Sequence, residues 1–159
     1  MNGKDKKRLS SSSGTNSAAF SNSFNYYINT YSDAGTPPIY TLNEAKSGKQ
    51  LKEIKNNKWL TEKLSNYNIS PKEFFSLKTD NGEFNTWMIK PNDFNPNKKY
   101  PLFMYQYSGP GSQSVANRWN GNDDYWYQML AQKGYIIVCV DGRGTGFRGR
   151  DFKKVTYKE

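Results

Sequence analysis

The first residues that could carry chemistry form a glycine-rich loop at residues 144–149. Gly144-Thr145-Gly146-Phe147-Arg148-Gly149 has the G-x-G-x-x-G spacing and follows an apolar run, which is the setting of a dinucleotide-binding loop. Residues 150–159 are charged and bulky where a phosphate-binding helix should pack closely on the sheet. The sequence therefore favours a tight loop without a cofactor. At its start, Asp141 and Arg143 are candidates for supporting an active site, with Arg143 bonded to neighbouring backbone or carboxylates.

The single cysteine and the absence of histidine limit the catalytic and metal-binding chemistry that this chain can perform. The chain has one cysteine, Cys139, inside an apolar run, and it has no histidine. A lone cysteine forms no disulfide within the chain, and without a histidine to activate it we interpret Cys139 as a small buried side chain. The usual general base and the commonest metal ligand are missing as well. We therefore expect neither a metal site nor a bound cofactor.

Two apolar runs predict the elements that position these residues. Residues 100–107 and residues 134–141 each have the pattern of a buried strand that ends in a glycine-rich loop. Between them, residues 123–133 begin with two aspartates and end with a lysine and a glycine, which are the expected boundaries of a helix. Strand, helix and strand with near-continuous apolar runs are typical of a parallel pair covered on both faces. The sequence therefore predicts an α/β fold.

Antiparallel strands are predicted before that pair. Residues 73–79 and 83–91 flank Asp80-Asn81-Gly82, which is a strong hairpin signal. Residues 57–67 carry apolar side chains at helical spacing, with Asn57 as the expected N-cap. Short aromatic strands are predicted at residues 25–31 and 37–42. Two or three such strands cannot close a core, so we expect part of a larger β array such as a propeller blade.

The distribution of charge argues against one class of partner. The formal net charge is +9, but the lysines are scattered singly or in pairs among asparagines and serines. Such scattering indicates a solvated surface rather than a nucleic-acid footprint, so we expect no nucleic-acid partner. No apolar run is long enough to cross a membrane, and residues 1–13 lack the apolar core of a signal peptide.

Several separate motifs, in the same order along the chain, resemble the dipeptidyl peptidase IV branch of the prolyl oligopeptidase family. The resemblance extends upstream to residues 36–42 and so covers nearly the whole chain. The motifs that carry it are Lys98-Lys99-Tyr100-Pro101, Tyr105-Gln106-Tyr107-Ser108-Gly109-Pro110-Gly111-Ser112-Gln113, Asn117-Arg118-Trp119 and Val140-Asp141-Gly142-Arg143-Gly144-Thr145-Gly146.

This resemblance implies the domain organisation. The family joins a β-propeller to an α/β-hydrolase domain. On that basis residues 1–50 are the end of the last blade, and residues 51–69 are a helical connector. Residues 70–159 are the N-terminal part of the hydrolase sheet, so the expected fold class is α/β preceded by antiparallel blade strands.

The resemblance also implies an activity. It is that of a serine exopeptidase, which releases N-terminal dipeptides with proline or alanine in the second position. Such an enzyme uses a Ser-His-Asp triad with the serine in a G-x-S-x-G elbow. This chain contains no such pattern, so we expect the triad beyond Glu159 and expect these 159 residues to be inactive alone. Endopeptidase or acyl-aminoacyl specificity stays open, as does a catalytically inactive peptide- or protein-binding module.

Partners and location are implied in the same way. The expected partner is a peptide substrate, and a homodimeric parent is compatible with the resemblance. The expected location is outside the cytoplasm, in the periplasm or at the cell surface. Substrate-binding residues are not assigned.

Tyr107 is the one catalytic residue that the resemblance assigns to this chain. It matches the tyrosine whose hydroxyl completes the oxyanion hole of the family. Acyl transfer places negative charge on the carbonyl oxygen, and a fixed phenol donor at the end of a strand stabilises that charge. Residue type alone favours a strand aromatic whose hydroxyl finds some other partner. The resemblance favours the oxyanion role.

Overall fold

The computed structural model describes residues 6–10 and 12–157, and the chain divides into two compact units. The first unit extends to Asn66 and includes Asn117–Trp119. The second unit contains Tyr67–Ala116 and continues from Asn120. Each unit is built around one four-stranded sheet.

The first sheet is an antiparallel meander with its strands in chain order. Its strands are β1 (Thr15–Phe20), β2 (Tyr26–Ser32), β3 (Ile39–Glu44) and β4 (Gln50–Lys55). The predicted strands at residues 25–31 and 37–42 are confirmed as β2 and β3. The outer strands β1 and β4 were not predicted, because neither has an apolar run or a buried residue. The central strands β2 and β3 supply the buried side chains, which are Tyr27, Thr41 and Asn43.

Asn117–Trp119 joins the first unit through backbone and amide hydrogen bonds. The Asn117 side-chain oxygen accepts from the Ala34 N–H at 2.9 Å, and the Asn117 carbonyl accepts from the Thr15 hydroxyl at 2.9 Å. The Trp119 N–H donates to the Ser32 hydroxyl oxygen at 3.3 Å. This motif of the chain therefore fixes the turn that follows β2.

Helix α1 (Lys58–Leu64) occupies most of the predicted helix at residues 57–67, but it ends earlier. Asn57 stands at the N-cap position with a left-handed φ of 52°, yet its side chain does not cap the helix. That side chain instead donates to the Pro38 carbonyl at 2.7 Å. Asn56 takes over the capping, because its side-chain oxygen accepts from the Lys58 N–H at 2.9 Å. The expected side-chain cap by Asn57 is therefore wrong by one residue.

The second sheet mixes antiparallel and parallel pairs. Its strands are β5 (Lys72–Thr79), β6 (Gly82–Ile89), β7 (Leu102–Tyr105) and β8 (Ile136–Val140), in the order β5-β6-β8-β7. The predicted hairpin is confirmed as β5 and β6, with the positive φ of its turn on Gly82. The predicted parallel pair is confirmed as β7 and β8. Strand β8 also pairs antiparallel with β6, so it lies inside the sheet.

Two helices accompany this sheet. Helix α2 (Asn122–Gln132) connects β7 to β8 and matches the predicted helix within one residue at each end. Its first turn carries Asp123 and Asp124, which complement the positive end of the helix dipole. Helix α3 (Arg150–Lys154) was not predicted, since its five residues lack an apolar stripe.

The core of the second unit lies between β6, β8 and α2. The ring centroids of Trp87 and Tyr127 are 5.3 Å apart. The Lys72 ammonium lies 4.7 Å from the centre of the Trp87 ring and 2.7 Å from the Asp124 carboxylate. An ion pair therefore lies against the aromatic ring at one end of the core. The buried apolar cluster consists of Trp87, Ile89, Val115, Tyr127, Ala131, Ile137 and Cys139.

The Gln128 side-chain amide connects α2 to the segment just before β5 through two hydrogen bonds. Gln128 is buried, and its side-chain oxygen accepts from the Ser70 N–H at 2.8 Å. Its side-chain nitrogen donates to the Ser70 carbonyl at 2.8 Å. Both backbone groups of a buried residue are thereby satisfied outside any strand ladder.

Strand β7 differs from its prediction in burial. It was expected to be covered on both faces, but Leu102 is 62% exposed and Met104 is 53% exposed. Phe103 packs against the core cluster, and the Tyr105 ring centroid lies 6.1 Å from that of Tyr127 in the same cluster. Among the described strands β7 pairs with β8 alone, so it forms an edge of the sheet, and one of its faces lacks cover. The apolar run therefore predicted the strand correctly, and within this part of the sheet one face of the strand is exposed.

Candidate active site

Strands β7 and β8 bring two loops to one edge of the sheet. Tyr105 pairs with Cys139 in the parallel register. The residues two positions further along each strand direction are Tyr107 and Asp141. Because the carboxyl ends of neighbouring parallel strands share an edge, the loops of residues 106–115 and 141–149 lie side by side, where α/β proteins form their sites. The register thus brings two of the predicted site residues to the same edge.

Tyr107 lies just beyond the end of β7 and is 69% exposed. The next residue, Ser108, has a left-handed φ of 50°, which is uncommon for a residue with a side chain. The Ser108 hydroxyl oxygen accepts from the Gly142 N–H at 3.2 Å and from the Gln106 side-chain nitrogen at 2.9 Å. A strained turn therefore changes the direction of the chain immediately after Tyr107. The loop of residues 141–149 stabilises that turn through the hydrogen bond from Gly142.

Asp141 anchors the far end of the same loop. It is only 3% exposed, and its backbone N–H extends the sheet by donating to the Asn85 carbonyl at 3.0 Å. One carboxylate oxygen accepts from the Ser114 N–H and the other from the Val115 N–H, each at 2.9 Å. Hydrogen bonds to a charged acceptor are the stronger kind. A buried carboxylate therefore fixes the loop that begins at Tyr107.

The glycine-rich loop is packed against the Tyr107 loop. The Gly111 N–H donates to the Gly144 carbonyl at 3.0 Å, and the Gly146 N–H donates to the Ser112 carbonyl at 2.7 Å. A side chain at position 146 would place its first carbon 2.8 Å from the Gly111 carbonyl oxygen. The close approach of two backbone segments thus explains the glycine at position 146, whereas Gly144 and Gly149 have φ values of 90° and 88°, which favour glycine.

The arginine that stabilises this loop is not the one that the sequence indicated. Arg143 is exposed, and its guanidinium makes no hydrogen bond or ion pair with any residue among 6–10 and 12–157. Arg148 instead donates to the Asn85 side-chain oxygen at 3.2 Å and stacks 4.6 Å from the centre of the Phe152 ring. Sequence reasoning overlooked both Arg148 and Asn85. The sequence signal that could have indicated Arg148 is its position inside the glycine motif of residues 144–149.

The described part of the chain shows neither a metal-binding cluster nor a membrane-spanning helix. No cluster of three or more histidine, cysteine, aspartate or glutamate residues there has the arrangement of a metal site. None of the described helices is long and apolar enough to span a bilayer.

Comparison with known proteins assigns the family. The model of the prolyl oligopeptidase family matches residues 122–159. The crystal structure of dipeptidyl peptidase 4 from Porphyromonas gingivalis matches 98% of the chain with a TM-score of 0.92 and 46% sequence identity. The chain belongs to the dipeptidyl peptidase IV branch of the prolyl oligopeptidase family. In this family context the first sheet is a propeller blade, and the second sheet is the start of the α/β-hydrolase domain.

Relatives from fungi give the same assignment to the dipeptidyl peptidase IV branch. Dipeptidyl peptidase 4 of Trichophyton rubrum is 38% identical over 145 residues, which are 89% of this chain and 18% of that protein. Dipeptidyl peptidase 4 of Arthroderma otae is 38% identical over 146 residues, which are 89% of this chain and 19% of that protein. The chain covers 22% of the Porphyromonas gingivalis structure. It therefore spans about a fifth of the length of these dipeptidyl peptidase IV relatives.

Asp141→Ala tests the loop anchor. Removing the carboxylate leaves two loop N–H groups without their acceptor, and hydrogen bonds to charged groups contribute about 1.5–3 kcal/mol each. We expect faster hydrogen–deuterium exchange in peptides that cover residues 112–116 of the full-length protein. Asp80→Ala, in the exposed hairpin turn, is the matched control and should leave that exchange unchanged. Unchanged protection in Asp141→Ala would contradict the anchoring role.

Cys139 provides a pH-dependent test of the core. Burial, followed by repulsion from Asp141, raises the pKa of its thiol from 9.0 to about 12. The folded state therefore holds the proton more tightly than the unfolded state. The resulting stabilisation is fully present below about pH 9 and is lost as the pH rises towards 12. At about pH 8.5 we expect iodoacetamide to alkylate Cys139 about 10³-fold more slowly in the native protein than in urea. Equal rates would show that the thiol is accessible and ionises normally.

Proposed function

We propose that the full-length protein containing this chain is a serine exopeptidase that releases N-terminal dipeptides with proline or alanine in the second position. The proposal is supported by membership of the dipeptidyl peptidase IV branch, which is named for this kind of activity. The connector was expected at residues 51–69, but β4 (Gln50–Lys55) pairs with β3 in the blade sheet. Within the proposal the propeller therefore extends to Lys55, residues 56–69 connect, and residues 70–159 begin the hydrolase domain. We further propose that the enzyme works outside the cytoplasm.

The observation that carries the mechanism is the placement of Tyr107. Its phenol is exposed at the carboxyl edge of a parallel strand, next to a loop that a buried carboxylate fixes. Its hydroxyl is therefore accessible to a substrate, while the backbone that carries it is held in place. A donor with these two properties can stabilise the negative charge that develops on a carbonyl oxygen during acyl transfer.

In the proposed reaction a serine hydroxyl attacks the peptide carbonyl while a histidine accepts its proton. The histidine returns that proton to the departing amine as the C–N bond breaks, so the shortened peptide leaves with a new amino terminus. Water then hydrolyses the acyl-enzyme and releases the dipeptide. The chain has no histidine and no G-x-S-x-G pattern, so the proposal assigns the triad to residues outside this chain. Tyr107 donates its hydroxyl hydrogen bond to the oxyanion of each tetrahedral intermediate. The loops of residues 106–115 and 141–149 keep that donor from reorganising as the charge develops.

Chromogenic dipeptides test the proposed activity. The full-length enzyme should hydrolyse Gly-Pro-p-nitroanilide, and it should be inactive on the N-acetylated form because an exopeptidase must bind the free amino terminus. Equal hydrolysis of both forms would indicate endopeptidase or acyl-aminoacyl specificity. Binding of the peptides without hydrolysis would favour the alternative of a catalytically inactive peptide-binding module.

Tyr107→Phe tests the oxyanion role. Loss of one donor from an oxyanion hole typically lowers kcat by about 10²–10³-fold. Because the phenol contacts charge that is absent from the ground state, KM should change little. Tyr105→Phe, at the last residue of β7 and two positions before Tyr107, is the matched control and should keep its turnover. Unchanged kcat in Tyr107→Phe would remove the catalytic assignment.

A further inference from the structure

Tyr107 presents a problem of positioning. Its side chain is 69% exposed, so burial alone does not fix its ring. An oxyanion donor that rotated freely would have to be ordered in each catalytic cycle, at a cost to the rate. Some contact close to the ring must therefore restrict it.

Gly109 provides that contact. A side chain at position 109 would place its first carbon 2.6 Å from Cε1 of Tyr107, 3.1 Å from Cζ and 3.3 Å from Cδ1. At a distance below 3.0 Å one of the two groups must move, so a β-carbon at position 109 would displace the ring from its place. One edge of the Tyr107 ring, from Cδ1 to Cζ, thus occupies the space beside a glycine two residues further along the chain.

The backbone at position 109 does not itself require glycine. Gly111 and Gly144 have φ values of 74° and 90°, in the left-handed region where a side chain is strained. Gly109 is not among the glycines with positive φ. Its lack of a side chain is therefore explained by the space that the Tyr107 ring occupies, rather than by its own conformation.

The loop beneath the ring is held rigidly. The Ser112 N–H and the Ser112 hydroxyl both donate to the Gly109 carbonyl, at 2.9 Å and 2.6 Å. The turn at Ser108 is bonded to Gly142, and the end of the loop is bonded to the Asp141 carboxylate. Gly109 is thus a fixed surface, connected to the core by hydrogen bonds on both sides.

We propose that Gly109 is a positioning residue for the reaction, because its bare α-carbon lets the Tyr107 ring lie against a fixed loop and sets the place from which the hydroxyl donates. This inference rests on the proposed oxyanion role of Tyr107. Gly109 itself contacts neither the substrate nor the reacting atoms. Its effect on the reaction passes entirely through the tyrosine.

A double-mutant cycle in the full-length enzyme tests the inference. Gly109→Ala should displace the ring and lower kcat on Gly-Pro-p-nitroanilide by about 10- to 100-fold, since small misplacements of catalytic groups cost factors of this size. KM should stay nearly constant. In the Tyr107→Phe background the same substitution should cause no further loss, because the hydroxyl is already absent. Gly35→Ala is the matched control, since its new β-carbon would meet its nearest neighbour, a carboxylate oxygen of Asp33, at 3.8 Å.

The outcomes separate this inference from the proposed function. If Tyr107→Phe loses turnover while Gly109→Ala keeps it, the positioning role is overturned and the oxyanion role stands. An equal loss from Gly109→Ala in both backgrounds also overturns it, because the effect would then bypass the hydroxyl. If Tyr107→Phe keeps full turnover, the oxyanion role fails, and the positioning role fails with it.

Thermal melting tests the contact between Gly109 and Tyr107 even if Gly109→Ala folds too poorly for kinetic measurements. The clash involves the ring, so Tyr107→Ala should remove it. We expect Gly109→Ala to lower Tm in the native background and to leave Tm unchanged in the Tyr107→Ala background. An equal decrease in both backgrounds would place the clash elsewhere and overturn the proposed contact.

Discussion

The carboxylate of Asp141 is the interaction on which the candidate site depends. A buried charge is costly unless hydrogen bonds compensate it, and here each of its oxygens accepts from a backbone N–H of the neighbouring loop. The parallel register of β7 and β8 makes this possible, because it brings Tyr107 and Asp141 to the same edge of the sheet. The sheet sets the positions of the two loops, and the carboxylate fixes one against the other.

The elements that could be predicted from the sequence are those with an internal signal. The β5–β6 hairpin has a glycine turn between alternating strands, and α2 has acidic and glycine boundaries. Strands β1 and β4 lack such a signal, since they are outer strands of a meander with no buried residue. The order β5-β6-β8-β7 could not be predicted either, because strand order depends on contacts between distant segments. For the same reason the apolar run of β7 could not show that one of its faces is exposed.

The candidate site also contains features that the sequence could predict and features that it could not. Residue type alone favoured a packing role for Tyr107, and only the family resemblance indicated catalysis. Asp141 could be selected as a strand-end residue, but its two hydrogen-bond donors, the N–H groups of Ser114 and Val115, come from a separate loop. Arg143 was selected as the arginine of this loop, whereas the three-dimensional neighbours Asn85 and Phe152 stabilise Arg148. Contacts between side chains from separate segments leave no local pattern in a sequence.

The anchor also has to be an aspartate rather than its neutral isostere. Both Asp141 oxygens accept backbone N–H groups, whereas an asparagine offers one acceptor and would turn an NH₂ donor towards the other N–H. Only a carboxylate can therefore accept from two consecutive backbone N–H groups with one side chain, and this requires a charged group in a buried place. In the proposed oxyanion role, the exposed Tyr107 can stabilise a developing charge efficiently only if it is already in place. The buried charge thus holds the loop against which the exposed phenol packs.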